Sequence, residues 1–236
     1  MFNKLRLYLK LYKLRTYIRK KLAYHEAGHL IFSYLLKIPC SSVEVAYDFI
    51  GGVQFQDGNA IVELQSKSQT IHLLPPHLQH LLNLSQLGIV QVAAQTQRTT
   101  NEIAQQYHKY FVILLAGRFS EEHFRETLYD KKLESLQKNY SRDLTKRNLN
   151  EDVERFNYLN KGLYSNITDL QSTFDTCKTF ILHYLMQNEV QQALHVIAGK
   201  IRNNKKLNRS EIEQLLAKND FLEYSTRQQS RIMKMI

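Results

Sequence analysis

Residues 4–37 read as one long helix, and that stretch limits the possible folds more than any other. Leu7, Leu11, Leu14, Ile18 and Leu22 recur at spacings of three and four, which puts them within ~80° on a helical wheel. His25, His29, Phe32 and Leu36 continue the stripe. The helix should end before Pro39, because proline disfavours helical backbone in the residue before it. A stripe of this kind needs an apolar partner to cover it. With 236 residues, 43% of them hydrophobic, the chain can supply one from a single large domain or two small ones.

The net charge of +10 is concentrated in the first turns of this helix. Residues 1–22 hold eight basic side chains and no acid, whereas the other 214 residues carry 24 basic and 22 acidic groups. A nucleic-acid footprint usually spreads over a face of the folded body, so this distribution argues against nucleic acid as a partner. A basic amphipathic leader over residues 1–15 can instead dock on its own domain, or make peripheral contact with an anionic membrane surface through residues 1–22. No run of about 18 apolar residues is present that could cross a membrane. No apolar segment with a small-residue cleavage site marks a secretory signal. Two cysteines, Cys40 and Cys177, cannot form a disulfide framework, which points to a reducing, cytoplasmic setting. The eight glycines form no Walker-type phosphate loop, so the chain should not hydrolyse ATP by itself.

Beyond the first helix, residues 43–55 (VEVAYDFIGGVQF) alternate and are rich in β-branched and aromatic side chains, with Gly51-Gly52 suiting a hairpin. Residues 61–64 suggest a further strand. Residues 57–100 look like an insertion, Gln-rich, broken at Pro75-Pro76, with a helix near 76–95. Ile103, Tyr107, Tyr110, Phe111 and Leu114 mark a face of a helix running from Asn101 to about Phe124. A second insertion covers 125–149. Helices are expected at about 150–160 and 169–203, and a short one over 210–218, where Ser210 and Glu213 have capping-box spacing. Residues 219–236 read as a tail. The fold class expected is mainly α with a small β-sheet.

The chemistry sits inside the first helix. His25-Glu26-Ala27-Gly28-His29 is an HExxH motif, and with 9 His and 14 Glu in the chain, chance predicts on the order of 0.02 occurrences. Residues four apart lie one turn apart on one helix face, so both imidazoles can reach a single zinc ion. Glu26 then stands beside a zinc-activated water, whose proton it can pass to a leaving amine. The plain alternative is a pair of hydrogen-bonded core histidines next to a surface glutamate. Gly28 costs about 1 kcal/mol in mid-helix relative to alanine, which implies close approach by another segment or by substrate. A catalytic zinc takes a third protein ligand, and downstream carboxylates or histidines are candidates. His72, His77 and His80 cluster near Pro75-Pro76. No third histidine follows at metzincin spacing, since position 35 is Leu.

Several stretches resemble the zinc peptidase domain of the FtsH family of membrane AAA proteases. Ala23-Tyr24-His25-Glu26-Ala27-Gly28-His29 is similar to the family's "AYHEAGHA" segment. Residues 43–55 resemble the strand that follows it. Leu114-Leu115-Ala116-Gly117-Arg118-Phe119-Ser120-Glu121-Glu122 resembles "LAGRAAEE", and Asn150-Glu151-Asp152-Val153-Glu154-Arg155 resembles "SNDIERA". Residues 207–212 resemble the "LDGEEI" ending, so the likeness spans about 16–218. It implies an FtsH-peptidase-like helical domain, a Zn2+ cofactor held by His25, His29 and Asp152, and Glu26 as general base. Asp143 and Glu151 are neighbouring alternatives to Asp152. Arg118 and Glu122 are expected to tie helices together as an ion pair.

The resemblance also implies binding of an extended peptide by strand addition at the strand region. The family's ATPase module and membrane helices are not in this chain. The expected activity is therefore an ATP-independent metalloendopeptidase acting on peptides or unfolded proteins, with a separate AAA ATPase or a homo-oligomer as possible partner. The alternatives are a non-catalytic partner or adaptor of a larger protease assembly, or a membrane-surface-binding protein.

Overall fold

A computed structural model of the chain describes residues 2–38, 42–45, 60–61, 87–127, 144–163, 167–204 and 206–235. In chain order these form α1 (Phe2–Leu35), β1 (Ser42–Val45), β2 (Ala60–Ile61), α2 (Ile89–Thr96), α3 (Thr100–Thr127), α4 (Leu144–Leu163), α5 (Ile167–Leu185), α6 (Asn188–Asn204), β3 (Lys206–Asn208), α7 (Arg209–Lys218) and α8 (Phe221–Met235). The protein is mainly α with one small antiparallel sheet.

The first helix is more central than a one-sided stripe predicts. It runs unbroken through the basic leader into the HExxH segment. Residues 23–36 are buried on every face, because α3 and α6 pack along α1 and β1, β2 and α8 also touch it. The segment AYHEAGHLIFSYLL is apolar around the wheel apart from its motif, and such a helix belongs in the interior. Its end is a Schellman turn. Lys37 takes a left-handed φ of 59°, its N–H donates to the Tyr34 carbonyl, and the Ile38 N–H donates to Ser33. Helix α8 adds to this end: Ser225 Oγ donates a second hydrogen bond to Tyr34 O at 3.3 Å, and Gln229 Nε2 donates to Leu35 O at 2.9 Å.

The sheet has the order β2-β1-β3, with both pairs antiparallel and Val43 opposite Leu207. Both of those side chains are buried, so the sheet closes the core beside α1. Strand β3 leads straight into α7. There the capping box is formed by Asn208 and Glu211, not by Ser210 and Glu213: Asn208 Oδ1 accepts from Glu211 N at 3.0 Å, and Glu211 Oε2 accepts from Asn208 N at 2.8 Å. Asn208 is extended, with ψ 171°, so the strand register places the cap two residues earlier than the sequence spacing suggests. Glu213 pairs with Arg209 instead.

Two further expectations are corrected. The single helix over 169–203 is two, α5 and α6, separated by a turn at Met186-Gln187, where Gln191 Nε2 donates back to Leu185 O at 2.9 Å. Apolar periodicity runs through this turn, and only packing separates the pair: α5 lies on α3 and α4, while α6 lies on α1. The stretch read as a tail, 219–236, contains α8, which buries Phe221, Tyr224, Ser225 and Ile232. Helix α3 begins with a capping box of its own, Thr99 and Glu102. It carries aromatic contacts into α4 and α5 through Phe111–Phe156 at 4.9 Å and Phe156–Phe174 at 5.6 Å.

The Gly51-Gly52 hairpin, residues 62–64 of the expected 61–64 strand, His72, His77, His80 and Asp143 lie outside the described residues, as does most of both insertions. Among the described residues no helix is long and apolar enough to cross a membrane.

Candidate metal centre

The site forms where α1 crosses α3 and α4 approaches. The two long helices come close because each presents a glycine to the other. A Cβ on Gly28 would lie 2.5 Å from Ser120 Oγ and 2.7 Å from the Ala116 carbonyl oxygen of α3. A Cβ on Gly117 would overlap the His29 ring. The close approach that Gly28 implies is therefore made by another segment of the chain. Gly117, from the stretch resembling "LAGRAAEE", does the reciprocal service for His29.

His25 and His29 stand one turn apart on α1, both buried, with exposures of 5% and 1%. The His29 ring is oriented from its Nδ1 side. His29 Nδ1 lies 2.7 Å from the Ile113 carbonyl oxygen of α3, so Nδ1 carries the proton and donates it there. His25 Nδ1 faces Glu121 Oε2 at 3.6 Å. Both Nε2 atoms then point at one spot, 3.1 Å apart. Helix α4 brings in Asp152, 6% exposed, whose Oδ2 lies 3.1 Å from His25 Nε2 and 3.4 Å from His29 Nε2. Among the described residues, His25, His29 and Asp152 are the group whose ligand atoms converge closely enough to hold a metal ion.

The donor set and its spacing fit zinc. Bonds of 2.0–2.1 Å in a tetrahedral site separate neighbouring ligand atoms by about 3.3 Å. The triangle found here has sides of 3.1, 3.1 and 3.4 Å. Two imidazole lone pairs and a carboxylate oxygen are three acceptors, and three buried acceptors aimed at one another repel unless a proton or a cation lies between them. Among the described residues, Asp152 Oδ2 is buried without a hydrogen-bond partner.

The local field has the sign a cation needs. Burial by itself would push the Asp152 carboxyl up, but the facing imidazoles outweigh it and hold the group well below the usual carboxylate range. Burial disfavours the His25 imidazolium, yet Asp152, Glu121 and Glu26 around it raise its pKa well above the ordinary histidine value. The same pocket that attracts a proton to His25 attracts a dication.

Glu26 is wholly buried, and its Oε1 lies 4.0 Å from His25 Nε2. It is beside the converging atoms without being one of them. Glu26 is therefore not a surface glutamate. Asp152 occupies the third corner, whereas Asp143 and the Glu151 side chain lie outside what the structure describes. Arg118 and Glu122 do not join helices: Arg118 Nε pairs with Glu122 Oε1 at 3.0 Å within α3, half-exposed.

The sequence reading passed over Glu121 and Lys21. Glu121 is buried at 6% and reaches His25, and its Oε1 takes Lys21 Nζ at 3.1 Å. Lys21 falls four residues before His25, on the same helix face, so a charge set in an otherwise apolar line was its available signal. No protein-family model, curated protein or solved structure matches the chain.

Proposed function

We propose that the protein is a zinc-dependent metalloendopeptidase, with His25, His29 and Asp152 as the metal ligands and Glu26 as the general base. The observation that carries this reading is the convergence of three buried acceptors at tetrahedral-edge spacing with a buried carboxylate alongside. An ion held there supplies Lewis acidity, polarising a peptide carbonyl and making a water molecule acidic enough to attack near neutral pH.

The chain's own groups supply the rest. The Ile113 carbonyl keeps the His29 proton on Nδ1, and the Glu121 carboxylate facing His25 Nδ1 at 3.6 Å favours the same tautomer there, leaving each Nε2 as a ligand. A Glu26 carboxylate oxygen accepts the proton of the attacking water as the C–O bond forms. It returns that proton to the amide nitrogen as the C–N bond breaks. The burial of Glu26 keeps bulk water from competing for the proton. A structural metal site has no use for such a base, which favours the peptidase over a non-catalytic partner. The sequence resemblance to FtsH peptidase segments supports the same reading, and peptides or unfolded chains are the substrates it suggests.

Glu26→Gln tests it. The variant should bind zinc with wild-type stoichiometry and lose cleavage of an unstructured polypeptide by about 10²-fold or more, the usual worth of a positioned acid–base group. Cleavage at the wild-type rate would refute the mechanism. Zinc binding by a wild-type protein that cuts nothing would favour the adaptor reading.

A further inference from the structure

We infer that Lys21 is a positioning residue for the metal centre, acting on His25 through Glu121. The inference rests on the zinc reading above and adds a component to it. Lys21 Nζ holds Glu121 Oε1 at 3.1 Å, and the other oxygen of the same carboxylate faces His25 Nδ1 at 3.6 Å. The ammonium also lies 5.7 Å from the centre of the Tyr17 ring, one turn back along α1.

Stability does not account for this pair. Its two side chains are only 9% and 8% exposed, and buried ion pairs can often be replaced by apolar side chains without loss of stability. Position explains it better. Glu121 enters from α3 with free rotation about its terminal bond. Tying one oxygen to Lys21 leaves the second facing the imidazole at 3.6 Å, where its charge favours the tautomer with the proton on Nδ1. His29 gets the same service from a backbone carbonyl that cannot rotate away. His25 relies on a side chain, and that side chain needs an anchor.

The two roles a lysine can play here differ in sign. An ammonium acting only by its field repels a dication two contacts away, so removing it would tighten zinc binding. An ammonium that positions His25 does the opposite, and a lost outer partner weakens metal binding by roughly 10–100-fold.

The experiment is zinc affinity of the purified full chain by chelator competition, alongside the visible absorption spectrum of the cobalt-substituted protein. Lys21→Met should weaken zinc about tenfold and change the cobalt spectrum, which reports ligand geometry. Lys21→Arg, which keeps the ion pair, should stay within about threefold of wild type. In a Glu121→Gln background the further change Lys21→Met should have no effect on affinity, because Lys21 acts through that carboxylate. This charge-balanced comparison also decides the matter if Lys21→Met alone does not fold. Unchanged or tighter zinc binding in Lys21→Met, or a further change in the Glu121→Gln background, overturns the inference. Failure of the wild-type protein to bind zinc removes the metal reading and this inference with it, whereas wild-type binding that is indifferent to Lys21 removes this inference alone.

Discussion

The two halves of the buried part of α1 are equally inaccessible and chemically opposite. From Leu30 to Leu36 the helix is wrapped by apolar side chains, with Phe32 near Phe180 at 6.4 Å, and Ser33 Oγ returns its hydrogen bond to the Leu30 carbonyl. In the two to three turns before it, Lys21, His25, Glu26 and His29 are buried with Glu121 and Asp152 from neighbouring helices. Desolvating six ionisable groups in one place is costly, and nothing in the packing of α1 requires it. The apolar half holds the fold. The charged half is held by the fold.

The comparison can be broken most sharply at Asp152. In Asp152→Ala, zinc affinity should fall by more than the roughly 10–100-fold typical of a lost outer partner, while the protein stays folded. Chelator competition combined with circular dichroism separates the two effects, and wild-type affinity in this variant would dismiss the proposed ligand set.

The converse change, Leu30→Ala, removes a fully buried side chain from the apolar half. It should cost about 2–5 kcal/mol in denaturant unfolding, yet the folded fraction should still take up zinc in wild-type ratio. Loss of zinc uptake at full stability would erase the distinction between the halves.

A smaller effect concerns pH in the chelator-treated protein. His25 has its folded pKa raised, so its imidazolium contributes stability that is fully present below the unfolded value of about 6.5. That contribution is lost as pH rises through the folded pKa. Asp152, held low, contributes in the other direction: its share is present above about 3.9 and is lost as pH falls. Unfolding midpoints measured with chelator should therefore decline above pH 6.5 and also at strongly acid pH. A midpoint that climbs steadily from pH 6 to 9 would contradict the charge assignment around His25.

How much of this could be read in advance varied with the range of the interaction. The helix around HExxH, the presence of a small sheet, the glycine that admits a neighbour and the helical stretch after Asn101 all rest on periodicity or on one residue's conformational cost, and they appear as expected, whereas strand β3 beside β1 has no counterpart in the local pattern. The α7 cap was misplaced by two residues because an extended Asn208, paired across the sheet to Ser42, wins over the local Ser210 spacing. The α5–α6 break is not marked in the sequence, because an apolar pattern continues through a turn whose cause is the choice of packing partner. The amphipathic α8 was passed over although Phe221, Tyr224, Ser225 and Ile232 mark one face, and its side chains close the end of α1.

The spacing of His25 and His29 made a shared ligand possible from the chain's order alone, since a helical turn is a local property and needs no partner. The corner supplied by Asp152, the carbonyl of Ile113 that orients His29 from 84 residues away, and the glycine-to-helix contact that lets α3 come close enough belong to the packed molecule. Those depend on which faces of distant helices are buried against each other, and burial is a property of the whole core rather than of any segment in it.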